Sequence, residues 1–363
     1  MKLLYITNGI NGAGGLERVL SVKASYLAEE LGYDVTILVL NNTHQNLFYK
    51  FSPKIKFLSI DVLGLSGYLA SYRKGMQKMI DAVNPDIISV CDDGLKGFLL
   101  PAIIRSNAKW IYERHVSKLA ESQSDDHLIK KIVTRSKWFA MDRLAGKFQR
   151  FIVLTEGNRK EWTSLRNVEV IPNPLSFYPA ESSALRSKTV ICVGKISYQK
   201  GQDLLLKAWE KVYKKYPDWK LHLYGKENLN VLDTNHLVNN VSYFAPAKDI
   251  EQRYLHSDIY VMSSRYEGFG MVLIEAMACG IPCVSFDCDY GPSDIISSGV
   301  DGFIVPKEDI DALAEKIIKL IENPEMLADF GRQAKESVLK YKTEAVAKQW
   351  DSLFKTILSE DNY

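Results

Sequence analysis

What the 363-residue chain lacks narrows its nature before any motif does. No window reaches the roughly 18–20 uninterrupted apolar residues of a membrane span, so membrane contact is expected to be peripheral. The opening MKLLYITNG has one basic residue and a short apolar run before a polar loop, which predicts a first strand and not a signal peptide. Cysteines number only five (Cys91, Cys192, Cys279, Cys283, Cys288), an odd count, and two lie in apolar strand-like runs. That argues against a disulfide framework and predicts reduced thiols in a cytoplasmic protein. Cys279, Cys283 and Cys288 have neither zinc-knuckle spacing nor a histidine nearby, so they predict no metal centre. Formal net charge is only +2, so bulk charge names no partner, and no nucleic acid is expected. Low-complexity tracts, repeats at solenoid spacing and a P-loop are also missing.

What is present is alternation. LLYIT (3–7), VTILVL (35–40), DIISV (86–90), KWIYE (109–113) and RFIVL (150–154) read as buried strands, separated by amphipathic helical segments or loops. The pattern breaks at IPNPLSFYPAESSALRSK (171–188), rich in proline and serine, and restarts with TVICVG (189–194), WKLHLYG (219–225), IYVMS (259–263), PCVSF (282–286) and GFIVP (302–306). This spacing predicts an α/β chain of two doubly wound parallel-sheet domains, residues 1–172 and 173–342, with ligands outside the carboxyl ends of the strands. In the last stretch Trp350, Leu353, Phe354 and Ile357 form one apolar helical face whose partner the pattern leaves open.

The most informative stretch is SRYEGFGMVLIEAMACGIP (264–282). A strand runs into a loop and a helix begins near Met271. A helix start offers backbone N–H groups without internal partners and a dipole that favours an anion. Gly268 and Gly270 remove side chains there. Glu267 can accept hydrogen bonds from sugar-type hydroxyls, and Glu275 lies about one turn, ~6 Å, beyond Met271. The spacing suits a nucleotide-sugar laid along one helix: sugar at Glu267, diphosphate at the helix start, ribose at Glu275. Taken alone, it equally fits a strand-to-helix turn with a capping acid and a solvent-facing glutamate.

Lys195 and Lys200 in VGKISYQKG (193–201) stand where ammonium groups could neutralise a diphosphate, although two loop lysines are ordinary. In NGINGAGGLERVL (8–20) the Gly12–Gly15 cluster opens a helix. It is not a dinucleotide fingerprint, because Glu17 occupies the place of the third glycine and no acid ends the next strand. A dehydrogenase is therefore the weakest reading. YERH (112–115) ends a strand; Arg114 or His115 could orient a substrate sugar, or be satisfied by loop backbone. Residues 128–150 carry seven Lys or Arg against one Asp, with Ile132, Val133, Trp138 and Phe139 among them. They fit a solvated crossover helix or contact with an anionic membrane surface.

Together these motifs resemble glycosyltransferase family four, the retaining group with the GT-B fold of two Rossmann-like domains facing a central cleft. The resemblance covers nearly the whole chain in order. EGFGMVLIE matches the family's E-x7-E motif, and Lys195 and Lys200 match its basic pair, with lysine where arginine is usual at the first place. GGLERV (15–20) is similar to its glycine-rich first loop, YERH to its S-E-H-N element, and CDYGPSDII (288–296) to the TGP-x-x-II loop of bacterial surface-polysaccharide enzymes. The resemblance implies that Glu267, Lys195, Lys200 and His115 or Arg114 carry the chemistry. It implies donor contacts from Gly14, Gly15, Gly268, Phe269, Gly270, Met271, Val272, Leu273 and Glu275, with the amides near Val272 and Leu273 meeting the diphosphate. The first domain would take the acceptor, through loops near 41–54, 60–70 and 116–127, and the C-terminal helix 343–363 would pack back on it. The implied reaction moves a hexosyl or N-acetylhexosaminyl group from a nucleoside diphosphate sugar, UDP being the expected carrier, to a glycan or polyprenyl-linked glycan. The anomeric configuration is kept and no metal or other cofactor is used. Location is expected to be cytoplasmic, with 128–150 either a solvated crossover helix or a peripheral contact at the inner membrane face. A nucleotide-sugar epimerase of the same fold and a non-catalytic nucleotide-sugar-binding regulator are the alternatives.

Overall fold

Parallel strands covered on both faces need apolar residues at every position, and the unbroken runs of this chain become such strands. The structure, a computed structural model, describes residues 1–62, 67–92, 94–118 and 128–360, with side chains of the fourth segment from 132 onward. The acceptor-loop residues 63–66 and 119–127, and residues 361–363, lie outside the described residues.

The chain divides into two units, Met1–Ser176 with the chain from Thr343 onward, and Phe177–Lys342. The first contains β1 (Lys2–Ile6), α1 (Gly15–Glu29), β2 (Asp34–Leu40), β3 (Lys56–Ile60), α2 (Tyr68–Val83), β4 (Ile87–Val90), α3 (Leu95–Ile103), β5 (Lys109–Glu113), α4 (Leu128–Ala145), β6 (Arg150–Val153), α5 (Glu156–Arg159) and β7 (Val168–Val170). Its seven strands are parallel, in the order β3-β2-β1-β4-β5-β6-β7. Alternate residues of β1 serve opposite faces: Leu4 and Ile6 join one core, Leu3 and Tyr5 the other.

The second unit contains β8 (Thr189–Val193), α6 (Gln202–Lys215), β9 (Lys220–Tyr224), β10 (Val241–Phe244), α7 (Ile250–Leu255), β11 (Ile259–Met262), α8 (Met271–Ala278), β12 (Cys283–Phe286), α9 (Pro292–Ile295), β13 (Gly302–Val305), α10 (Ile310–Glu322) and α11 (Pro324–Ser337). Its sheet is also parallel, in the order β10-β9-β8-β11-β12-β13. The last helix, α12 (Thr343–Ser359), belongs to the first unit, where Trp350, Phe354 and Ile357 share a core with Leu20, Ala24 and Leu27 of α1.

Strands β3, β7 and β10 do not appear in the strand reading of the sequence. All three are sheet edges. Burial is partial in β7 and alternating in β10, so polar residues interrupt the apolar run that marks a central strand. In each sheet the order reverses once, between β1 and β4 in the first and between β8 and β11 in the second. Two loops diverge at each such point and leave a crevice at the strand ends. Among the described residues no helix is long and apolar enough to cross a membrane.

Candidate active site

The switch point of the second sheet brings together the loops after β8 and β11, and main-chain contacts stitch them. Arg265 N–H donates to Gln199 O at 2.7 Å, and the Ser263 hydroxyl donates to Lys200 O at 3.0 Å. The Arg265 guanidinium forks onto both Asp203 oxygens at 2.9 and 2.7 Å and lies 4.0 Å from the Tyr198 ring centroid. Gly201 has φ +62°, and a Cβ there would run into the Ser263 carbonyl oxygen. Only glycine permits both that backbone and that approach.

The result is a contact between the ammonium of Lys200 and the carboxylate of Glu267, Nζ to Oε1, at 2.6 Å. The Ser264 hydroxyl donates to the same Oε1 at 2.6 Å. Glu267 is 6% exposed, and its Oε2 takes no protein hydrogen bond among the described residues. An ammonium carries three N–H donors, so Lys200 retains two beyond the one directed at Glu267. Lys195, in the same loop, is exposed and has no ion pair among the described residues. Burial pushes the neighbouring Cys192 thiol up to about 12; all five cysteines are buried and none is in a disulfide.

Gly270, with φ +96°, precedes α8. The Leu273 N–H donates to Gly270 O at 2.9 Å, which corrects the expectation for that amide: Met271 and Val272 hold the first-turn donors instead. Phe269, in the same turn, is expected to act through its amide. Its ring is buried edge-on against Tyr341, centroids 5.6 Å apart, so only its main chain remains for a ligand. The loop at Asp289–Gly291 lies over this turn; Asp289 O accepts from Glu267 N–H at 3.2 Å, and a Cβ on Gly291 would strike Phe269 O. Gly268 sits between. Glu275 is not solvent-facing: it is wholly buried, the one charged side chain on a helix of Met, Val, Leu, Ile and Ala. A buried carboxylate in such company needs a polar role to justify its desolvation.

At the switch point of the first sheet lies an open pocket of about 650 Å³, lined among others by Asn8, Gly12, Glu17, Cys91, Asp92 and Lys96. Asp92 accepts from Asn8 Nδ2 at 2.9 Å and from Gly94 N–H at 2.8 Å, and Lys96 Nζ stands 3.6 Å from its other oxygen. Glu17 lies across Gly12 and Gly14, so that a Cβ at either glycine would meet its carboxylate. Gly15 is exposed and open. The glycine loop is thus no open phosphate cradle, because a phosphate there would face the Glu17 carboxylate.

Beneath this pocket is a buried ion pair that the sequence reading does not contain. Lys23 Nζ meets Glu113 Oε2 at 2.5 Å, both side chains 2% exposed or less, and the Ser89 hydroxyl donates to Glu113 Oε1 at 2.6 Å. Lys23 also lies 4.0 Å from the ring centroid of Trp350 on α12. Burial alone would raise the Glu113 carboxyl, but Lys23 and His115 hold it down at about 2. His115 Nε2 is 3.4 Å from Glu113 Oε2. Arg114 turns the other way, buried beside Glu161. The pair of candidates is therefore split: His115 joins Cys91 and Glu113, Arg114 does not. Among the described residues Cys91, Glu113 and His115 are the one trio close enough to hold a metal, yet the Lys23 ammonium already meets the Glu113 charge. A sequence signal for Lys23 exists: it falls on the apolar stripe Val19, Leu20, Ala24, Leu27 of α1, where a lysine needs a buried partner.

Comparison with known proteins agrees with this geometry. Residues 179–337 match the family model described as glycosyl transferases group 1. An uncharacterized glycosyltransferase of Haemophilus influenzae is 28% identical, covering 97% of this chain and 99% of that one. The amylovoran biosynthesis glycosyltransferase AmsD of Erwinia amylovora is 29% identical over the same shares. HepE of Anabaena, solved in complex with UDP, superposes with a TM-score of 0.78 at 19% identity, over 98% of this chain and 100% of that one. Two doubly wound parallel-sheet units of this kind make up the GT-B fold. The match to the glycosyl transferases of group 1 thus lies in the second unit, and over nearly its whole length the chain is similar to glycosyltransferases, one of them named for amylovoran biosynthesis.

Proposed function

We propose that the protein is a retaining hexosyl- or N-acetylhexosaminyltransferase that uses a UDP-sugar and a hydroxyl of a glycan or lipid-linked glycan. The observation that carries the reading is the Lys200–Glu267 contact at the start of α8. It sets an acceptor for sugar hydroxyls, Glu267 Oε2, beside a cation and two helix-start amides suited to a diphosphate. Buried Glu275, one turn along, is assigned to the ribose. The UDP held by HepE and the amylovoran role in the name of AmsD support the donor and the setting.

In this reading the bond from the anomeric carbon to the β-phosphate oxygen breaks, and the acceptor oxygen bonds to that carbon on the same face. The acceptor proton passes to the departing phosphate. Lys200, Lys195 and the α8 start stabilise the charge that grows on that phosphate, so the reading uses no metal. In the first unit, the polar pocket with Asp92, Asn8 and Glu17 is assigned to acceptor hydroxyls, and His115 to orienting a sugar. Five buried thiols, none in a disulfide, support a cytoplasmic setting.

A panel of UDP-, GDP- and ADP-sugars tests it by thermal unfolding, followed by NMR of the product's anomeric proton. A UDP-sugar at 100 times its Kd should stabilise the chain by about 2.7 kcal/mol. No stabilisation by any nucleotide, or a product of opposite anomeric configuration, would overturn the reading. Epimerisation of the donor without acceptor would replace it.

A further inference from the structure

Lys200 carries its ammonium on a flexible four-carbon stem, so its place beside Glu267 is set by whatever holds the backbone below it. That backbone is a turn, and three successive carbonyls of it are captured by the loop after β11. Tyr198 O accepts from Arg265 Nη1 at 2.7 Å, Gln199 O from the Arg265 N–H at 2.7 Å, and Lys200 O from the Ser263 hydroxyl at 3.0 Å. A further bond runs the other way, from Gln199 Nε2 to Tyr266 O at 3.2 Å. Arg265 holds two of the three carbonyls, and it stands just before Tyr266 and Glu267.

An arginine this close to Glu267 in sequence suggests a phosphate ligand, and its surroundings exclude that role. Arg265 is 7% exposed. Both Asp203 oxygens take its fork, the Glu308 carboxylate stands 3.2 Å from Nε, and the Tyr198 ring lies against the guanidinium. Two carboxylates already face one cation, so a phosphate approaching Arg265 would meet net negative charge. The seat also needs a guanidinium. Its planar donors, fixed in direction, reach a carbonyl and both oxygens of a carboxylate at once, whereas the three donors of an ammonium leave from one atom.

We infer that Arg265, seated on Asp203, is a positioning residue: it acts on glycosyl transfer through Lys200, by fixing the loop that carries Lys200 against the loop that carries Glu267. The inference rests on the leaving-group role proposed above for Lys200. The clamp holds the ammonium 2.6 Å from Glu267, so the cation needs no reorganisation as charge grows on the departing phosphate. Without the clamp Lys200 is present but misplaced, and a shift of about 1 Å costs on the order of 100-fold in rate.

A double-variant cycle tests it, read as UDP release by the full chain from a saturating level of the UDP-sugar that most stabilises it. Arg265→Gln should lower kcat about 100-fold with Lys200 in place. In a Lys200→Ala background it should lower kcat less than about threefold further, because the positioned group is already gone. Arg265→Lys keeps the charge without the fork and should recover little. Should Arg265→Gln fail to fold, Asp203→Asn serves instead, since that side chain is 37% exposed. It should lower kcat about tenfold, again only with Lys200 present. An unchanged kcat in these variants, equal losses in both backgrounds, or full recovery by Arg265→Lys overturns the inference and leaves the role of Lys200 standing. An unchanged kcat in Lys200→Ala overturns that role and the inference together.

Discussion

Lys200 and Glu267 are 67 residues apart in the chain and 2.6 Å apart in the fold, because β8 and β11 are neighbours at the switch point of the second sheet. The contact gives Lys200 two duties. It neutralises a buried carboxylate, and it supplies a cation beside the helix start.

The two duties separate in variants. Lys200→Ala should lower kcat on the order of 10²–10³-fold at saturating donor, and it should also destabilise the chain by stranding Glu267. Adding Glu267→Gln should recover most of the stability, read as Tm, and none of the turnover. Unchanged kcat in Lys200→Ala would remove the leaving-group role.

Glu275→Gln keeps the volume of the side chain while removing its charge. Loss of a charge-assisted hydrogen bond to ribose should raise the Kd for UDP by about 10- to 100-fold and change kcat far less. Calorimetric titration of UDP gives the first number and initial rates the second. An unaltered Kd would leave Glu275 a purely internal residue.

Gly201→Ala and Gly32→Ala make a matched pair. Both glycines have positive φ, +62° and +68°, but nothing lies within 4 Å of a Cβ at Gly32, whereas one at Gly201 collides with Ser263 O. Gly32→Ala should cost only the backbone penalty of about 1–2 kcal/mol. Gly201→Ala should cost clearly more and should also lower UDP affinity, since the displaced loop carries Lys200. Urea unfolding measures the first effect.

The Lys23–Glu113 pair predicts an acid limit to stability. Glu113 is held at about 2, below the ordinary carboxylate value of 4.5. Its contribution is therefore fully present above pH 4.5 and is lost as pH falls from there toward 2. A shift of that size corresponds to roughly 3 kcal/mol. Lys23→Met should cost about 3–5 kcal/mol by leaving Glu113 unpaired, and Lys23→Met with Glu113→Gln appreciably less. Unfolding free energies between pH 3 and 7 should show a shallower acid slope in the double variant.

Much of this fold is legible in order along the chain. The ten apolar runs taken as strands are strands, because a parallel strand buried on both faces tolerates no polar interruption. The three missed strands are edges, where that requirement lapses. At the site, the Gly-Phe-Gly turn and the acid on each side of it are visible as spacing. That the Phe269 ring packs inward on Tyr341 and that the Leu273 amide closes on Gly270 O is not visible, since both depend on partners or geometry that spacing does not encode.

The sequence alone determined the strands, the helix that starts at a glycine, and the two acids set about a turn to either side of it. These are properties of neighbours, dictated by local backbone freedom and by periodicity. Only the tertiary structure decided that Lys200 meets Glu267, that Lys23 meets Glu113 under Trp350, that His115 and not Arg114 joins Cys91 and Glu113, and that Asp142 pairs with Lys118. The reason is that strand order in a parallel sheet is a global outcome. It brings together loops dozens of residues apart, and a charge removed from water is settled only by whichever partner that order delivers.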